Sequence, residues 1–82
     1  MKVSGFFRSN FIPKGSDREI TGYRVHLLYP ATGAEAAGFV GQDIYLSDRV
    51  LTLSNYALNV DDEIEVFYNS RGKVSYIRHI HT

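Results

Sequence analysis

The stretch EIEVFYNSRGKVSYIRHI, Glu63 to Ile80, decides the fold class. Ile64, Val66 and Tyr68 alternate with Glu63, Glu65 and Phe67, and alternation with a period of two is the mark of a strand with one buried face. Asn69-Ser70-Arg71-Gly72 then interrupts the pattern, and a second β-rich run, Lys73 to Ile80, follows at once. Two such runs joined by a short segment ending in glycine predict a hairpin, with Gly72 free to take a positive φ.

Working outward, the same period recurs upstream. Between Thr21 and Tyr29, the residues Tyr23, Val25, Leu27 and Tyr29 fall on one side and Arg24, His26 and Leu28 on the other, which predicts a second half-buried strand closed by Pro30. Val3 to Ile12 reads as a first strand, with Val3, Phe7 and Phe11 sharing one side with Gly5 and Lys2, Phe6 and Arg8 on the other; Gly5 predicts a bulge or sharp bend. Phe39 to Leu46 reads as a further strand with Val40, Ile44 and Leu46 facing inward. Ser47 or Asp48 is placed to cap a short helical turn through about Leu53, whose apolar side is Val50, Leu51 and Leu53. Pro13–Asp17 and Ala31–Gly38 read as polar or small-residue connections.

These elements predict a mainly β chain forming a single domain over residues 1–82: five strands and one short helical turn between the third and fourth. In so short a chain that order fits a small five-stranded Greek-key barrel of the oligonucleotide/oligosaccharide-binding (OB) type, with an SH3-like barrel or an open meander as the alternatives. The core must be small, because a domain of this size removes only about 60–65% of its extended surface from water. Five Phe, six Tyr and no Trp are available to fill it.

Charge is balanced in total and unevenly placed. Residues 1–34 hold Lys2, Arg8, Lys14, Arg18 and Arg24 against Asp17 and Glu19. Residues 35–65 hold Glu35, Asp43, Asp48, Asp61, Asp62, Glu63 and Glu65 against Arg49, and residues 66–82 hold Arg71, Lys73 and Arg78 with no acid. If the two basic ends fold side by side, they build a cationic face on a neutral molecule, suited to an anionic polymer. Aromatic rings interleave with these cations: Phe6, Phe7 and Phe11 near Arg8, Tyr23 and Tyr29 around Arg24 and His26, and Phe67, Tyr68 and Tyr76 around Arg71, Lys73 and Arg78. Cations neutralise phosphates and flat rings stack on unpaired bases, so the combination points to single-stranded nucleic acid. The same rings are also what a core without Trp must use. Tyr23 and Tyr29, on the Val25/Leu27 stripe, are expected in the core, and Phe6 and Phe67, which share sides with charged residues, at the surface.

Two loops collect the expected phosphate contacts: Lys14, Gly15, Ser16 and Arg18 between the first two strands, and Ser70, Arg71, Gly72 and Lys73 at the hairpin tip. His79 and His81 have the spacing of half a zinc site, but no third ligand is evident, and the run Asp61-Asp62-Glu63 with Glu65 lacks the pattern of a calcium loop. No nucleophile motif, P-loop or dinucleotide fingerprint occurs, so neither catalysis nor a cofactor is expected. The absence of cysteine fits a reducing compartment, and the apolar runs are too short for a signal peptide or a membrane span; a cytoplasmic protein is the expectation.

A basic loop followed by Thr21-Gly22-Tyr23-Arg24-Val25, and a closing hairpin whose tip runs into Gly72-Lys73-Val74, resembles the small helix-destabilising proteins of filamentous phages and mobile elements, which bind single-stranded DNA. The resemblance implies an OB-fold homodimer that coats single strands with little sequence preference. It also implies Tyr23 as a stacking ring and Arg18, Arg24 and Arg71 as phosphate partners. The neutral total charge and the acidic middle depart from that family and would confine DNA to one side. The nucleic-acid-binding set read from the sequence is thus Arg8, Lys14, Arg18, Tyr23, Arg24, Arg71 and Lys73. The alternative is a protein-interaction module or subunit whose acidic and basic faces meet a partner.

Overall fold

A computed structural model describes residues 1–80. It holds five strands and one helix: β1 (Lys2–Arg8), β2 (Gly22–Pro30), β3 (Phe39–Ser47), α1 (Asp48–Leu53), β4 (Ile64–Tyr68) and β5 (Val74–His79). The chain is mainly β, as its alternation predicts. β1, β2 and β3 form an antiparallel meander and β4 and β5 a two-stranded sheet. Neither sheet closes on itself. They are joined at one seam, where Lys2 bridges Glu63, Val3 N–H donates to Asp62 O at 2.9 Å and Ile64 N–H donates to Met1 O at 2.8 Å.

Both sheets pack on one small core. Val3, Val25, Leu27, Ile44 and Leu46 come from the three-stranded sheet, Ile64 and Ile77 from the hairpin, and Tyr56 from the segment after α1. The hairpin tip is built as its residues predict: Gly72 has φ +76°, and the Asn69 side-chain oxygen accepts from the N–H groups of Arg71 and Lys73 at 2.8 and 3.0 Å. Ser47 is the N-cap of α1, its Oγ accepting from Val50 N–H at 3.2 Å. Of the helix's expected apolar side, Val50 and Leu51 pack on the core and Leu53 stands exposed.

Two facing assignments are corrected. The pairing jumps from Val3↔Leu27 to Gly5↔His26, so Ser4 is an extra residue on β1. One extra residue reverses every side chain beyond it. Phe6 therefore sits opposite buried Val25 on the side of Val3, while Phe7 turns outward opposite Arg24 and is 63% exposed. Val40, expected inside, is 40% exposed. The core on β2 and β3 is made by Val25, Leu27, Ile44 and Leu46, and Val40, paired with Tyr29 nearer the end of the ribbon, lies past the rows it covers.

The basic ends do not meet directly. β4 lies between them: Glu63 bridges Lys2 on one side, and its carbonyl accepts from Ile80 N–H on the other. Acids from the middle of the chain consequently neutralise the cations of the outer strands. Lys2 pairs with Asp61, the N-terminal ammonium with Glu63, Arg8 with Asp48 and Arg78 with Glu65.

Candidate nucleic-acid interface

The cations that remain lie elsewhere. Among the described residues no ion pair engages Lys14, Arg18, Arg24, Arg71 or Lys73, nor Arg49, which stands exposed on α1. Arg24 stands in the middle of the outer face of the three-stranded sheet, in a cross-strand row that reads Phe7, Arg24, Tyr45. Alternation along β2 forces that position, since buried Val25 and half-buried Tyr23 flank Arg24 on the inner face.

A groove of about 560 Å³ runs between the open edge of β3 and the tip of the β4–β5 hairpin. Its cations are Arg24 and Lys73, and its rings are Phe11, Tyr45 and Tyr68. Tyr45 is fixed in place: its hydroxyl donates to Ser9 O at 2.7 Å, and Phe11 meets its ring edge-on at 5.2 Å. Burial pushes the Tyr45 hydroxyl above its ordinary pKa. Gly22 makes this packing possible, because a Cβ there would come within 2.8 Å of the Tyr45 hydroxyl oxygen. Arg24 also borders a second hollow of about 530 Å³ with Phe6, Phe7, His26 and Asp43. There the His26 Nδ1 lies 2.6 Å from Asp43 Oδ1, and its ring covers Gly41 so closely that a Cβ would sit 2.7 Å from Cε1. A carboxylate can only accept, so Asp43 holds Nδ1 as the protonated nitrogen.

The sequence-predicted residues separate into three groups. Arg24 and Lys73 are brought to one groove. Lys14 and Arg18 lie exposed in the loop beyond the Phe11↔Ile20 bridge, where Gly15 has φ +83° and Ser16 Oγ accepts from Arg18 N–H, and Arg71 is exposed at the hairpin tip. Phe11 and Ile20 line the groove, so this loop leaves from the groove's own wall.

Arg8 and Tyr23 form the third group and are engaged with each other. Arg8 makes a two-pronged contact with Asp48, at 2.9 and 2.8 Å, and its guanidinium sits over the Tyr23 ring, 4.9 Å from the centroid. Phe6 meets the same ring edge-on at 5.6 Å. Hydrogen bonds from Arg8 first, then Thr21, hold the Asp48 carboxyl below the ordinary carboxylate range. Tyr23, expected in the core, is only half-buried against it, with one face taken by Arg8.

Tyr45 is the groove ring that reading the sequence passes over. Its signal is its place in the Asp43/Tyr45 row, opposite buried Ile44 and Leu46, which marks it as outward and level with Arg24. Of the histidine pair, His79 packs against the Tyr56 ring at 5.4 Å with Nε2 3.6 Å from Asp62 Oδ1, and His81 lies outside the described residues. No group of three or more metal-ligating side chains gathers among the described residues, and no helix there is long and apolar enough to cross a membrane. No protein-family model, curated protein or solved structure matches the chain.

Proposed function

We propose that this protein is a non-catalytic binder of single-stranded nucleic acid, DNA in preference to RNA, working as an OB-like barrel in a reducing, cytoplasmic setting. The observation that carries the reading is the groove in which Arg24 and Lys73, neither of them in an ion pair among the described residues, lie beside Phe11, Tyr45 and Tyr68. In OB-folds the face of strands 2 and 3, flanked by the loops joining strands 1 to 2 and 4 to 5, is where oligonucleotides bind. Here those two loops carry Lys14, Arg18, Arg71 and Lys73, and the face between them carries Arg24. The likeness to the phage and mobile-element proteins supports the same reading through Arg18, Arg24 and Arg71. Its stacking ring passes from Tyr23, whose face Arg8 occupies, to Tyr68, which is 44% exposed in the groove.

A protein-interaction module using opposed acidic and basic faces has less support, because most acids of the middle segment already pair within the molecule. The test is a salt titration of binding to oligo-dT. For single strands the affinity falls with a log–log slope of about −0.7 per phosphate neutralised. Arg24→Ala and Lys73→Ala should each lower the slope by about 0.7. Affinity indifferent to salt, or unchanged slopes in both variants, would refute the reading.

A further inference from the structure

The two sheets end in edges that are treated differently. On β5, the Ile77 N–H that points away from β4 is taken by Ser54 Oγ at 2.8 Å, just past the end of α1. On β3, Phe39 to Ser47 pairs with β2 through nine rows with no bulge, and among the described residues no strand lies on its other side. That edge has no proline, no lysine and no arginine, and its one charge, Asp43, is held by His26. Long, flat edges without such blocking devices pair with another strand.

We propose that the β3 edge pairs with β3 of a second copy, antiparallel about a two-fold axis at Gln42, in the protein free of nucleic acid. The side chains select this partner and this register. Directly opposite residues in an antiparallel pair share a face, so the axis must pass through a residue position. An axis at Asp43 would set two carboxylates against each other, which is destabilising. An axis at Gln42 sets the two Gln42 amides together and places Asp43 opposite Gly41. It also brings exposed Val40 against Ile44 and Phe39, 71% exposed, against Tyr45 of the other copy. The two apolar residues that the ribbon leaves uncovered are thus the ones the pairing covers.

The incoming strand enters the groove beside Ile44 and Tyr45, so pairing and nucleic-acid binding use the same edge; the pairing inference does not depend on the nucleic-acid reading. One strand from each copy makes a small contact, in the weak and transient class rather than that of interfaces of about 1,200 Å² or more.

Disulfide trapping without any oligonucleotide tests it, since the native chain has no cysteine. Opposite Cβ atoms across an antiparallel pair are about 4.5–5.5 Å apart, within reach of a disulfide after small adjustment. Gln42→Cys should therefore form covalent dimers under mild oxidation severalfold more readily than Val40→Cys, whose equivalents would lie about 13 Å apart along the strands, or than Ser70→Cys at the exposed hairpin tip. Adding Val40→Lys, or separately Phe39→Glu, to Gln42→Cys should return trapping to the Ser70→Cys level with the far-ultraviolet circular dichroism unchanged. Equal trapping at all three positions, or trapping at Gln42→Cys that survives both edge charges in a folded protein, would overturn the inference and leave the edge to a strand of another protein.

Discussion

The seam where β1, β4 and β5 meet and the face where β2 and β3 turn outward carry the same kinds of side chain and use them in opposite ways. At the seam, basic strands flank an acidic one, so Lys2, Arg78 and the N-terminal ammonium each have a carboxylate within 3.3 Å. On the β2–β3 face and the two loops beside it, Arg24, Lys14, Arg18, Arg71 and Lys73 have no such partner among the described residues. Strand order, rather than the number of charges, decides which cations remain available. A surface ion pair contributes little stability, about 0–1 kcal/mol, but it does cancel the field that an anionic ligand would feel.

The most damaging way to test this contrast is through the core that both regions share. Leu27 is fully buried between the sheets, and Leu27→Ala should cost about 2–5 kcal/mol, lost in one cooperative transition by chemical denaturation. A separate early transition of the β4–β5 hairpin would show that the regions do not share one core. Next in size is the contrast in binding. Tyr68→Ala should lose about 1–3 kcal/mol of oligo-dT affinity, the value of one stacked base, while Arg78→Ala at the seam should lose none; equal losses measured by fluorescence anisotropy would erase the distinction between face and seam.

A smaller effect is expected at the helix that begins where β3 ends. Ser47→Ala removes the cap of α1 and should cost about 1 kcal/mol in thermal or chemical unfolding. The smallest lies in the acid limb of stability. Arg8 and Thr21 keep the Asp48 carboxyl below its ordinary pKa, so the unfolded chain takes up that proton more readily than the folded one. The stabilisation is complete above the ordinary carboxylate pKa and is lost as pH falls through the depressed value. Acid unfolding of Asp48→Asn should accordingly depend less steeply on pH in that window than the native protein; identical curves would show that the Arg8 contact has no influence on folding.

How far the site can be read from the sequence varies with its parts. Arg24 is legible because strict alternation along β2 leaves it no inward option, and Gly72 and Asn69 announce the hairpin tip because few residues accept that turn. Phe7 is not legible in the same way: Gly5 marks a bulge, but only the pairing reveals that Ser4 is the extra residue and that the phase reverses after it. Val40 fails for a different reason. Its own strand pattern is sound, and what exposes it is the small extent of the core, which ends before the Tyr29↔Val40 row. Arg8 carries the charge a phosphate contact needs, yet Asp48, forty residues away along the chain, reaches it first.

Local chemistry along the chain determined the kind of element at almost every position: the period of two, the Ser47 cap and the glycine turn all act within a few residues, where sequence neighbours are also neighbours in space. The partners of the charges were settled only in three dimensions. Lys2 meets Asp61, and the N-terminal ammonium meets Glu63, only because the segment leading into β4 runs beside β1, a contact among residues some sixty positions apart. Coulomb attraction acts over distance in space and takes no account of separation along the chain.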